Sequence, residues 1–273
     1  IGVQVTSKRN SLIATLLTLF WPSIIYRSVV IQREVLVTII IMSVVLISLK
    51  WTEKIRIQDI ILLTILSFGM YILRKENLII IAITLTAGVA ANKKATWSRG
   101  ASALLLAIPA LILFVLNFGR ISGFGTRLTP RAVDAFAHGR DHGNSAYLVN
   151  LHYESWLDII LYAPLKVVYF LFGPLPWHID GATTFLASLS GLGVFVAVIF
   201  ARRGATMLLN RRERLVVIIV FLTIGILSYS IIEMNFGAAF RRRIQFIPLI
   251  LLLASVGLPH LVIKWKSDDK ATQ

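Results

Sequence analysis

The sequence predicts an all-α fold, a polytopic transmembrane helical bundle of about eight spans with one extracytoplasmic loop and an interfacial amphipathic helix. Three observations carry that reading. Hydrophobic residues make up 57% of the 273 residues and charged residues only 15%. Several apolar runs approach the ~20 residues that a helix needs to cross a hydrocarbon core of ~30 Å. The 28 Lys and Arg, against 13 Asp and Glu, gather in short segments between those runs, the distribution that orients membrane proteins. The net charge of +15 comes with no soluble basic domain to hold a duplex, so nucleic acid is excluded as a partner. With no cysteine, disulfides, zinc–thiolate sites and thiol nucleophiles are excluded too.

Taken in order, residues 1–118 read as five transmembrane helices that include a short hairpin. The first apolar run, 11–25, is interrupted at Trp21-Pro22-Ser23, where the missing proline amide bends or ends a helix. The second span covers 33–49, and Lys50, Lys54 and Arg56 follow it as a basic cytoplasmic loop. Runs 60–73 and 78–91 are separated only by Arg74-Lys75-Glu76-Asn77. At about 14 residues, or ~21 Å, each is short for a full crossing, so they form a helical hairpin with a charged turn at the outer surface. The fifth span is 100–118. The chain opens at Ile1 without Met or a signal pattern, and the expectation is an N-terminally truncated fragment of a longer protein.

Residues 119–180 read as the extracytoplasmic loop plus the interfacial helix. Residues 119–156 are the only long polar segment, and 157–172 is apolar but carries Asp158, Pro164 and Lys166. If that piece crossed the bilayer, the arginine-rich segment 202–214 would lie outside, against the positive-inside tendency. It is therefore laid along the interface. Residues 181–273 supply three more transmembrane helices, 181–200, 215–233 and 244–263, and a short cytoplasmic tail. Both ends of the chain are then cytoplasmic. Trp21, Trp51, Trp97, Trp156, Trp177 and Trp265 fall near span ends, as interfacial anchors do.

The candidate chemistry sits at the outer edge. Arg241, Arg242 and Arg243 stand in a row at the mouth of an apolar run, on the side where basic residues are scarce. Arginine suits phosphate because its charge is permanent and its planar fork donates two parallel hydrogen bonds. Arg33, Arg74 and Lys75 lie at a similar depth in separate segments, as expected of helices surrounding a polar recess. The same long side chains taken singly also read as anchors snorkelling to headgroups. Glu34, Glu76 and Glu233 are the membrane-edge acids that could deprotonate an acceptor hydroxyl; Asp134, Asp141, Glu154 and Asp158 belong to the loop and its exit. In the loop, His138-Gly139-Arg140-Asp141-His142-Gly143 places two histidines four apart. The glycines oppose a helix there and no HExxH accompanies them, so no metal and no other cofactor is expected. His142, or His138, is a further catalytic candidate, acting as a base while Arg120, Arg127, Arg131 or Arg140 binds phosphate.

The runs LFWPSIIYRSVVIQREVLV (19–37), ILRKENLIII (72–81), HGNSAYL (142–148), APLKVVYFLFGPLPW (163–177) and NFGAAFRRRIQFIPLILLLASVGL (235–258) resemble bacterial polytopic membrane proteins of cell-surface polysaccharide clusters. Some of these are similar to the GT-C superfamily of polyprenyl-phosphate-dependent glycosyltransferases. The resemblance implies a multi-pass enzyme of the bacterial inner (plasma) membrane with an outward-facing site. It implies as partners a polyprenyl-phosphate-linked sugar, a glycan, lipid or protein acceptor, and membrane lipids. The acidic motif that this family carries in its first extracytoplasmic loop has no counterpart here, so no catalytic residue carries over. The expected function is sugar transfer from the polyprenyl-phosphate carrier to a surface acceptor. The alternatives are an O-antigen polymerase or ligase acting on polyprenyl-pyrophosphate glycans and a non-enzymatic lipid-linked sugar transporter. The last needs polar groups along a path through the bilayer, and the span interiors offer little beyond Ser and Thr.

Overall fold

A computed structural model of the chain describes residues 1–29, 33–92, 128–139 and 145–258. Its elements in chain order are α1 (Gly2–Val5), α2 (Lys8–Leu19), α3 (Pro22–Val29), α4 (Arg33–Trp51), α5 (Ile57–Arg74), α6 (Asn77–Ala90), α7 (Pro130–His138), α8 (Trp156–Phe172), α9 (Ala182–Met207), α10 (Arg212–Ile232), α11 (Phe236–Arg243) and α12 (Ile247–Gly257). Among the described residues there is no strand, and the one extended pairing is an isolated antiparallel bridge between Ala146 and Asn235. Among the described residues, four segments are long and apolar enough to cross a membrane: Arg33–Trp51, Ile57–Arg74, Ala182–Met207 and Leu209–Ile232. Among the described residues the fold is all-helical, and its long apolar helices are those of a membrane protein. The expected span 100–118 and much of the expected loop, including His142, lie outside the described residues.

Local chemistry explains the helix ends. α2 stops at Leu19 and α3 starts at Pro22, where proline is tolerated because a first-turn amide has no partner anyway. α5 and α6 turn back on each other across Lys75 and Glu76. The arginine row forms the last turn of one helix, α11, and within the expected span 244–263 the next helix, α12, starts only at Ile247. α11 is capped by Asn235, whose side chain accepts from the Ala238 amide at 3.1 Å. Pro248 then sits in the first turn of α12, where it opens a new helix after the turn at 244–246.

α12 is apolar all round and nearly every residue from Ile247 to Gly257 is buried, as a central helix must be. It packs between α9 and α2. A Cβ on Gly204 would overlap the Leu253 carbonyl oxygen, and one on Gly257 would overlap that of Phe200. These two glycines let the α9 and α12 backbones touch, the small-residue packing of membrane helices. The other layer is built from α4, α5, α6 and α10, with α8 laid against α10 and α9.

α8 is two-faced. Leu157, Ile160, Leu161, Leu165 and Val168 are exposed, whereas Lys166 is fully buried. Its apolar face turns outward and its one basic side chain turns into the bundle. A capping box fixes its start: the Ser155 hydroxyl accepts from the Asp158 amide at 3.2 Å, and the Asp158 carboxylate accepts from the Ser155 amide at 2.7 Å. Those backbone and side-chain hydrogen bonds hold the Asp158 carboxyl below its usual range.

Candidate functional site, an arginine-lined recess

Three elements converge at one end of the bundle. The first residues of α4 bring Arg33 and Glu34, the last residue of α5 is Arg74, and the last turn of α11 brings Arg241 and Arg242. Together these five residues line a recess of about 250 Å³, enough for roughly eight waters at ~30 Å³ each. Four arginines against one glutamate leave the lining strongly positive. Arg74, only 5% exposed, donates to Glu34 Oε1 at 2.5 Å and reaches Glu76 Oε1 at 3.6 Å. Arg33 is outermost, its Nε 3.9 Å from the same Glu34 oxygen, and Arg241 is exposed.

Beneath the recess the polar network continues inward. Arg242 is ion-paired to the fully buried Glu233, and its guanidinium lies 5.4 Å above the Tyr229 ring. Tyr229 Oη donates to Asn77 Oδ1, and Asn77 Nδ2 donates to Gln245 Oε1 at 3.4 Å. Three helices, α6, α10 and α11, and the turn at 244–246 are thereby tied together through polar side chains. Such networks are stable only when their members find partners.

Arg243 faces the other way. It is fully buried and donates from Nη1 to the carbonyls of Leu171 and, at 3.1 Å, Gly173. Its role in this arrangement is to hold the end of α8 against α11. Among the described residues its Nε and Nη2, and the Tyr147 hydroxyl, have no hydrogen-bond partner. Lys166 Nζ donates to the Glu233 carbonyl at 3.1 Å and lies 5.7 and 5.8 Å from the rings of Tyr147 and Tyr153. Burial pushes the Lys166 ammonium down to about 7, with the Asp134 carboxylate working in the opposite sense. Burial likewise pushes Arg243 down to about 10 and raises both tyrosines. Tyr147 is delivered here by the bridge, through Tyr147 N to Met234 O and Phe236 N to Ser145 O, both 2.8 Å. The next residue, Leu148, takes the left-handed region at φ 54, a costly conformation for a branched side chain.

Of the residues expected to bind phosphate, Arg33, Arg74, Arg241 and Arg242 share the recess. Lys75 is half-buried outside its lining, and Arg243 points into the core. Of the candidate acids, Glu34 lines the recess, Glu76 flanks it through Arg74, and Glu233 is sealed beneath Arg242. His142 lies outside the described residues. Sequence reasoning missed Asn77, Tyr147, Tyr153, Tyr229 and Gln245 as members of this region. It had one signal to offer for the interior: a lysine within an apolar run is costly to leave unpaired, and Lys166 is such a residue. No protein-family model, curated protein or solved structure matches the chain.

Proposed function

We propose that the recess binds the phosphate of a polyprenyl-linked sugar and that the protein transfers the sugar to a glycan, lipid or protein acceptor at the extracytoplasmic face of a bacterial inner membrane. The observation that carries this reading is the meeting of Arg33, Arg74, Arg241 and Arg242 from three separate elements around one small polar recess. Charge-assisted hydrogen bonds from guanidinium to phosphate are the strongest such a lining can offer. The exposed apolar residues of α5 and α8 give the carrier's tail a lipid phase beside it. Glu34 is the carboxylate within the recess and the base assigned to the acceptor hydroxyl.

The topology that goes with this reading has eight crossings. The short hairpin turns at the outer surface, the 100–118 span is included, and α8 lies at the outer edge with both chain ends cytoplasmic. Its support is the clustering of Lys and Arg around 50–56 and 202–214, both opposite the recess.

Transfer of labelled sugar from short-chain polyprenyl-phosphate donors, by protein in liposomes, tests the reading. Arg241→Ala and Arg33→Ala remove exposed side chains, so folding is retained. Each loses a charged hydrogen bond of ~1.5–3 kcal/mol, or roughly 10–100-fold in kcat/KM. Parent-level transfer by both variants overturns the phosphate site. Transfer only from polyprenyl-pyrophosphate glycans replaces the reaction by polymerisation or ligation.

A further inference from the structure

On the loop side of the bundle, α7 carries Asp134 and His138 one helical turn apart, and residue 152 of the following segment brings a second histidine to the same place. Asp134 Oδ1 is 3.3 Å from His138 Nδ1, and Asp134 Oδ2 is 3.2 Å from His152 Nδ1. One ligand atom from each residue can be chosen so that all lie within 4.8 Å of one another. Ligands about 2.0–2.1 Å from a tetrahedral zinc ion are separated by roughly 3.3 Å. The two carboxylate–imidazole separations already have that value.

The hydrogen bonding around His138 calls for a cation. Its Nε2 is 3.1 Å from the Val149 carbonyl, and its Nδ1 is 3.0 Å from the Asp134 carbonyl and 3.3 Å from the Asp134 carboxylate. A neutral imidazole has one N–H to give. If Nε2–H is given to Val149, the Nδ1 lone pair faces oxygens across a short gap, an arrangement that only a positive charge between them stabilises. An N–H on the far nitrogen held by a backbone carbonyl is also how metal-bound histidines are oriented. Asp134 is held in the same manner, its Oδ1 accepting from the Tyr153 amide at 2.8 Å, which leaves Oδ2 toward His152.

We propose that Asp134, His138 and His152 form a binding site for a divalent transition metal, zinc in the first instance. Two imidazole nitrogens and one carboxylate select zinc and its first-row neighbours over magnesium or calcium, which prefer oxygen. Three protein ligands leave a fourth position for water or a substrate oxygen. The two rings are stacked at 4.4 Å and 8°, so one of them turns on loading to bring both lone pairs onto the ion. His152, with its side chain 60% exposed, is the one with room to turn. The site differs from the His138 and His142 pair that the sequence offers, because His152 lies 14 residues beyond His138 and joins it only through the fold. It does not depend on the recess.

The test uses tag-free full-length protein in lipid nanodiscs, stripped with EDTA. Zn²⁺ binding is followed by calorimetry, and Co²⁺ binding by the visible absorption of a tetrahedral ion. The expected result is one ion per chain. His152→Ala and Asp134→Asn each weaken binding at least about tenfold, since even groups behind the ligands are worth 10–100-fold. His152→Ala removes an exposed ring, so its metal-free melting temperature matches the parent and separates lost binding from lost folding. Absence of stoichiometric binding by the parent overturns the proposal. Parent-like affinity in both variants overturns it equally.

Discussion

The two ends of the bundle are both rich in arginine, and they use it differently. At the recess end, Arg74, Arg242 and Arg243 are buried or nearly so, and the first two meet Glu34 and the fully buried Glu233. At the opposite end, Arg214 pairs with Glu53 and donates to the Gln4 carbonyl, and Arg211 reaches the Val5 carbonyl at 3.1 Å. There the Glu53 side chain is 63% exposed. Exposed pairs contribute little because water and salt screen them. Buried pairs are costly to form and costlier to break, because the surviving partner is left charged in a poor solvent. The proposed phosphate site would give the buried charges of the recess end a use beyond stability, and the contrast between the two ends is what can be tested.

The largest effect that can test this contrast is at Glu233. Glu233→Ala leaves Arg242 without its buried counter-charge and is expected to cost ~3–5 kcal/mol, read as loss of the folded fraction in a detergent denaturation series. A cost below ~1 kcal/mol would put this pair in the same class as the opposite end. Next is Lys166. Its folded value of about 7 lies below the ordinary 10.5, so the unfolded chain binds the extra proton between them. Stability is therefore lowest at and below pH ~7 and rises toward pH ~9. Lys166→Met keeps the length of the side chain, flattens that rise and raises stability at pH ~7 by an amount on the order of a few kcal/mol. A parent profile that is flat or falling from pH 7 to 9 contradicts the assignment.

Gly204→Val probes packing rather than charge, at the end away from the recess. Its side chain would meet the Leu253 carbonyl, and forced separation of α9 and α12 should cost ~1–3 kcal/mol. Thermal melting in detergent measures it, and a melting temperature equal to the parent's would show that these helices are less tightly apposed. The smallest effect belongs to Glu53→Ala, at ~0–1 kcal/mol, vanishing in high salt. A larger, salt-resistant loss there would erase the difference between the two ends.

The arginine row shows how much of the site was legible. In sequence Arg241, Arg242 and Arg243 read as one phosphate-binding unit. On a helix of ~3.6 residues per turn, neighbours diverge by about 100°, and the three do separate: one outward, one to Glu233, one into the core. Arg33, Arg74 and Glu34 were legible as edge charges, but their meeting depends on how α4 and α5 pack. For the metal candidate, His138 was visible in a promising motif with the wrong companion. Nothing local to His152 or Asp134 announces that the chain brings them together.

What the sequence by itself determined is the part governed by local patterning. Apolar runs of span length make helices because a backbone in lipid must satisfy its own hydrogen bonds. The break at Pro22 and the turn at Lys75 and Glu76 follow from the same rule applied at points where it fails. What only the tertiary structure decided is which charges share a space. The recess and the inward turn of Lys166 depend on contacts between segments far apart in the chain, and the Asp134, His138 and His152 cluster on the return of His152 to α7. Ion-pair and ligand geometry is set over a few ångströms by packing, and hydropathy along the chain carries no record of it.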